Sequence, residues 1–211
     1  MKVVGLTVGA VQENTYLVVN EDTKEAVLID PGEEAERIQE TIVELDLKIA
    51  AILITHCHFD HIGAVTPMAQ STGAEVWVPR IERPILEDIM AFVPWEGFGP
   101  YESYVAEHDV SGGERLELAG FAIDVMFTPG HSPGHVTYSF AEEKAIFSGD
   151  VLFAGSIGRA DLPGADMMTL MSSINRLIET LPGDTVVYPG HMQPTTLDQE
   201  RTTNPFLHDL R

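Results

Sequence analysis

Cysteine is almost absent: the 211 residues include one, Cys57, so no intrachain disulfide can form, and a reducing compartment suits the chain. Basic residues are scarce. Twelve Lys and Arg stand against 33 Asp and Glu, a net charge of −21. Such a chain repels phosphate backbones and anionic lipid surfaces, which speaks against nucleic-acid and membrane partners. No apolar run approaches the roughly 18 residues needed to span a bilayer. The longest, residues 49–54, is strand-sized. The opening Met1-Lys2-Val3-Val4-Gly5 has neither the long apolar core nor the cleavage site of a signal peptide, so a cytoplasmic location is expected. No repeat period and no low-complexity tract occurs. The chain is nonetheless 44% apolar and 21% charged, the balance of a chain that folds.

Short β-rich runs alternate with a few helical stretches. Strands are expected over residues 3–8, 15–19 and 26–29, with a turn at Asn20-Glu21-Asp22. Residues 33–45 carry Ile38, Ile42 and Leu45 at helical spacing. Residues 49–54 are nearly all apolar, the pattern of a strand buried on both faces. A helix over 63–71 and a strand over 75–78 follow. Residues 79–113 show no sustained period, but they hold an aromatic series (Phe92, Trp95, Phe98, Tyr101, Tyr104) that suits a packed loop and a substrate lid equally. Strands return at 114–118, 122–127, 135–140 and 144–148. A helix over 167–181 stops at Pro182-Gly183; a strand over 185–188 and a short helix over 196–201 close the series. Two strand-rich halves with their own helices point to two sheets with helices outside.

The strongest chemical signal is His56-Cys57-His58-Phe59-Asp60-His61, which places four potential metal ligands directly after the buried strand. His56 and His58 share a side in extended backbone, while Asp60 and His61 fall in the turn beyond, so one loop can serve two cations. Three more donors, His131, Asp150 and His191, each follow a β-run and a Gly or Pro, where loops at strand ends gather function. A lone loop histidine would need no ligand to explain it. Three of the eight His crowded into six residues would, because burying unpaired polar groups is costly and a metal compensates. Imidazole with carboxylate suits Zn, and also Fe or Mn. A structural zinc site would be a closed, Cys-rich tetrahedron, unlike this set. Cys57 alternates away from its neighbours toward the core, and His135 suits a supporting role.

The pattern His56-x-His58-x-Asp60-His61, with His131, Asp150 and His191 beyond it, resembles the metallo-β-lactamase superfamily across nearly the whole chain. The resemblance implies an α/β fold: one domain over residues 1–211, an αββα sandwich of two mixed sheets with helices outside. It also implies two divalent metal ions, most simply Zn, with Fe or Mn as options. His56, His58 and His131 would hold the first, Asp60, His61 and His191 the second, and Asp150 both. Two further segments, 149–161 and 200–207, resemble the glyoxalase II-like hydrolases within that superfamily. The implied activity is hydrolysis of a hydroxyacyl-thiol conjugate such as S-D-lactoylglutathione by a hydroxide bridging the metals. Asp60 would orient that nucleophile, and Arg159 would contact the substrate. The family's substrate loop has Lys and Tyr where this chain has Arg159 and Asp161, and the helical C-terminal domain of the full-length enzymes does not follow Arg211, so the thiol carrier stays open. The alternative is a mononuclear iron persulfide dioxygenase of the same branch. A phosphodiesterase or ribonuclease of the superfamily is disfavoured by the charge.

Overall fold

A computed structural model describes residues 1–210, which fall into two compact units. The first holds residues 1–110 and 117–121, and the second holds residues 111–116 and the chain from 122 onward. In chain order the elements of the first half are β1 (Lys2–Val8), β2 (Glu13–Val19), β3 (Glu25–Ile29), α1 (Ala35–Glu44), β4 (Lys48–Leu53), α2 (Phe59–Ile62), α3 (Val65–Thr72), β5 (Glu75–Pro79), α4 (Arg83–Glu87), α5 (Ile89–Phe92) and β6 (His108–Val110). The second half runs β7 (Arg115–Leu118), β8 (Phe121–Phe127), β9 (Val136–Phe140), β10 (Ala145–Gly149), β11 (Leu152–Phe153), β12 (Ser156–Ile157), α6 (Met167–Thr180), β13 (Val186–Pro189), β14 (Thr195–Thr196) and α7 (Leu197–Thr203). Short 3-10 turns lie at Ala141–Glu143 and Pro205–Leu210.

Strands β1 to β6 form one six-stranded sheet in sequence order. The first three are antiparallel; β3, β4, β5 and β6 run parallel. The β2–β3 turn falls where Asn20 places it, with Asp22 N–H donating to Asn20 Oδ1 and Lys24 N–H to Asn20 O. Parallel neighbours need crossovers: α1 lies between β3 and β4, α2 and α3 between β4 and β5, and α4 and α5 between β5 and β6. Ile38 and Ile42 of α1, with Val65, Met68 and Ala69 of α3, bury against Leu28, Ile52 and Val76 of the sheet. Ala51 and Leu53, whose side chains leave β4 on the other side, are buried as well, which is why that strand reads as an unbroken apolar run.

The second sheet has the order β14-β13-β10-β9-β8-β7. Its β10 and β13 run parallel, and β9 lies antiparallel to both β8 and β10. Strands β8, β10 and β13 therefore end at the same edge. On this sheet Leu170, Ile174 and Leu177 of α6 and Leu197 of α7 bury with Ile146 and Val187. Asp166 starts α6 by accepting Thr169 N–H at 2.8 Å.

Two stretches differ from the sequence reading. The helix expected over 63–71 is α3, which starts at Val65, and a separate short helix, α2, precedes it across Gly63-Ala64. A Cβ on Gly63 would stand 2.5 Å from Gly32 O and 2.8 Å from the Tyr101 ring, so the chain passes there only as glycine. The aperiodic stretch after β5 contains α4, α5 and β6, each five residues or fewer and too short to show a period. Among the described residues no helix is long and apolar enough to cross a membrane.

Candidate metal centre

In the first unit the donors follow the parallel strands β3 and β4 at their common end. Asp30 ends β3 with φ +46, a left-handed conformation that Asp tolerates better than most residues. Its buried carboxylate takes three hydrogen bonds: Thr55 N–H at 2.7 Å on Oδ1, Thr55 Oγ1–H at 2.6 Å on Oδ2, and His61 Nδ1–H at 3.0 Å on Oδ2. The Thr55 proton is thereby committed, so at 3.1 Å the Thr55 hydroxyl accepts from Nδ1–H of His56. Asp30 thus sets two tautomers, one directly and one through Thr55. His56 and His61 both turn their lone pair to Nε2, the nitrogen a metal would take.

His56 Nε2 lies 3.1 Å from His58 Nδ1. Two nitrogens on one tetrahedral zinc would stand about 3.3 Å apart, so the pair has the spacing of ligands to a single ion. Asp60 lies in the first turn of α2 and sets Oδ2 3.8 Å from His61 Nε2. Cys57, between the two imidazoles, points into the core with 1% exposure. Burial, then the Glu82 and Asp30 carboxylates, push its thiol well above the ordinary range. Glu82 accepts Cys57 N–H at 2.5 Å and so fixes the backbone of the ligand loop.

Beneath the loop is an acid that sequence reasoning did not single out. Glu13 is fully buried, and its Oε1 has no hydrogen-bond partner but stands 3.7 Å from His61 Nδ1. Thr15 Oγ1 lies 3.1 Å from Glu13 Oε2 and donates to Asp30 O at 2.7 Å. Burial pushes Glu13 well above the carboxylate range, the nearby Asp30 and Asp60 adding to the shift and His61 and the Thr15 hydroxyl opposing it.

In the second unit His131, Asp150 and His191 follow β8, β10 and β13 at the shared edge. Asp150 Oδ2 lies 3.4 Å from His131 Nε2 and 3.6 Å from His191 Nε2. His131 Nδ1–H donates to Arg159 O at 2.9 Å, and because a carbonyl only accepts, Nε2 keeps its lone pair. His135 is not a donor to a metal. Its Nε2 accepts Asp150 N–H at 3.1 Å, and its Nδ1–H is directed at Thr128 Oγ1. The Arg159 side chain, expected to meet substrate, is 57% exposed and forks onto Asp161 through Nε and Nη2, each at 2.9 Å. That fork holds the Asp161 carboxyl below its usual value.

Glycine is required where the ligand backbone is crowded. A Cβ on Gly158 would lie 1.9 Å from Asp150 O, and one on Gly32 would lie 1.8 Å from Asp60 O. Gly158→Ala is expected to lower stability by about 1–3 kcal/mol, since overpacking forces the backbone to shift. An unchanged denaturant midpoint would show that this approach is not tight.

The donor set fits divalent cations. It offers imidazoles, three of them with the lone pair on Nε2, carboxylates, and no cysteine ligand. The sequence pattern described as "Metallo-beta-lactamase superfamily" matches residues 8–191. The hydroxyacylglutathione hydrolase GloC of Haemophilus influenzae is 39% identical over 96% of each chain. Among solved structures, BLEG-1 B3 metallo-β-lactamase superposes with a TM-score of 0.93 at 40% identity, covering 98% of this chain and 100% of that one. TTHA1623, solved in a di-iron-bound form, gives 0.88 at 41% identity, covering 97% and 100%. The chain belongs to the metallo-β-lactamase superfamily. Its two mixed sheets with helices are the architecture of those relatives, and its activity class is that of a metal-dependent hydrolase.

Proposed function

We propose that the chain is a thioesterase that hydrolyses a hydroxyacyl-thiol conjugate such as S-D-lactoylglutathione, using two divalent ions, zinc in our reading. His56, His58 and His131 would hold one ion, Asp60, His61 and His191 the other, and Asp150 would serve both. The observation that supports this most is the state of three imidazoles. His56, His61 and His131 each commit Nδ1–H to an oxygen and keep Nε2 for a cation. The ions supply a polarised carbonyl and a water that ionises near neutral pH. Asp60 would orient that water toward the thioester carbon as well as binding metal. Asp150 offsets positive charge and fixes the spacing of the two ligand sets. Arg159 receives a substrate carboxylate once Asp161 gives up its fork. The partner is then a small molecule, with neither nucleic acid nor membrane needed, and a cytoplasmic setting goes with it.

GloC lends this reading its substrate class. The iron dioxygenase alternative is not favoured, because a mononuclear site leaves Asp60, His61 and His191 without a task. Zinc-loaded protein is expected to turn over S-D-lactoylglutathione, to lose that activity with a chelator, and to regain it with zinc. Turnover of the β-lactam nitrocefin with none of the thioester, or thioester turnover indifferent to chelation, would overturn the proposal.

A further inference from the structure

The segment Glu200-Arg201-Thr202-Thr203-Asn204 has no part in the chemistry above. Only two of its residues turn inward. Thr202 and Thr203 donate their hydroxyls back along α7 to Asp198 O and Gln199 O, and Arg201 is exposed. Glu200 and Asn204, four apart and so on one side of the helix end, are both fully buried. Glu200 Oε1 accepts Thr195 Oγ1–H at 2.6 Å; Oε2 accepts Gly155 N–H and Asn204 Nδ2–H, each at 2.8 Å. Asn204 Nδ2 also donates to Ser156 O at 2.9 Å, and Asn204 Oδ1 accepts Phe206 N–H at 3.0 Å.

The pair grips the turn of the β11–β12 hairpin from both sides, taking the N–H of Gly155 and the carbonyl of Ser156. That hairpin is two residues long on each strand, too short to hold its own shape. Both of its ends lead to the metal centre. Asp150 comes just before β11. Just after β12, Gly158 packs against Asp150 O and donates its N–H to Val151 O at 3.2 Å. The next residue, Arg159, presents the carbonyl that receives His131 Nδ1–H.

We infer that Glu200 and Asn204 are positioning residues for the metal centre: by clamping the β11–β12 hairpin they hold the Arg159 carbonyl under His131 and the backbone of Asp150 in place. The inference rests on His131 and Asp150 being metal ligands. A side chain that touches neither metal nor substrate then governs how well His131 binds. Glu200 and Asn204 act together, because Asn204 Nδ2 bridges the Glu200 carboxylate and the hairpin.

Zinc affinity of the intact chain, measured by competition with a chromogenic chelator, tests this without any substrate. Asn204→Ala is expected to unfold cooperatively, to bind zinc at least about tenfold more weakly, as losses of supporting hydrogen bonds at metal sites commonly do, and to expose the His131 Nδ1 proton to faster solvent exchange by NMR. Asn204→Asp would set a second carboxylate against the buried Glu200 oxygen, so where the alanine variant does not fold the milder second variant is Glu200→Gln. Glu200→Gln retains an acceptor for Gly155 N–H and should bind zinc with an affinity between those of the wild type and Asn204→Ala. A lowered melting temperature with wild-type zinc affinity and an unchanged His131 proton would overturn the inference and leave the clamp a fold-stabilising contact alone. His131→Ala is the control. If it too binds zinc as the wild type does, the error lies in naming His131 a ligand, not in the clamp.

Discussion

Asp60→Ala is expected to abolish thioester turnover while the chain stays folded. Asp60 is the second residue of the four-residue helix α2, and its side chain is 13% exposed. The helix is held by its backbone, with His61 N–H donating to His58 O at 2.9 Å, and by buried Phe59 and Ile62, so it does not depend on the Asp60 carboxylate. Alanine suits a helix better than aspartate does. What the substitution removes is the carboxylate beside His61, which in the proposed reaction aims the attacking water. A metal centre contributes several kcal/mol to such a reaction, so losing one ligand and the orientation it gives should lower kcat by about 10³-fold or more. Circular dichroism matching the wild type, measured beside kcat, separates this from unfolding. Wild-type kcat in the variant would refute the role given to Asp60.

The second large effect falls on a residue that touches no metal in the proposed site. Asp30→Asn keeps the side-chain shape and the tolerance for positive φ, but it offers one acceptor oxygen where Thr55 N–H, Thr55 Oγ1–H and His61 Nδ1–H need two. An NH₂ group would then face a donor inside a buried site. The cost in stability is about 1–3 kcal/mol for a buried group left unsatisfied. Freed tautomers at His56 and His61 should weaken metal binding by about 10–100-fold. Chelator competition and denaturant melts on the same preparation read both quantities. Metal affinity equal to the wild type, whatever the stability, would mean that Asp30 does not set these imidazoles.

The contrast between Asp60 and Asp30 shows what a sequence can and cannot convey. The loop from His56 to His61, and His131, Asp150 and His191, are legible because each donor sits where an apolar run stops at Gly, Pro or a cluster of polar residues. Asp30 reads only as the sharp end of a strand. Its partners lie 25 and 31 residues away, and only the parallel pairing of β3 with β4 brings Thr55 beside it. Glu13 is hidden for the same reason, a charged letter in a strand whose seven positions are all buried. Long strands and α1, α3 and α6 are legible from period. The β11–β12 hairpin is not, since two-residue strands have no period, and its role emerges only through contacts with Gly155, Ser156 and α7. At Arg159 sequence reading singles out the guanidinium, while the contact made with a site residue is through the carbonyl.

Metal content per chain tests the central claim most directly, because the account divides seven side chains into two ligand sets that share Asp150. Protein purified without chelator, loaded with zinc and passed through a desalting column, should carry two zinc ions per chain by elemental analysis. A ratio of one or none in folded protein would contradict the two-ion reading and the chemistry built on it.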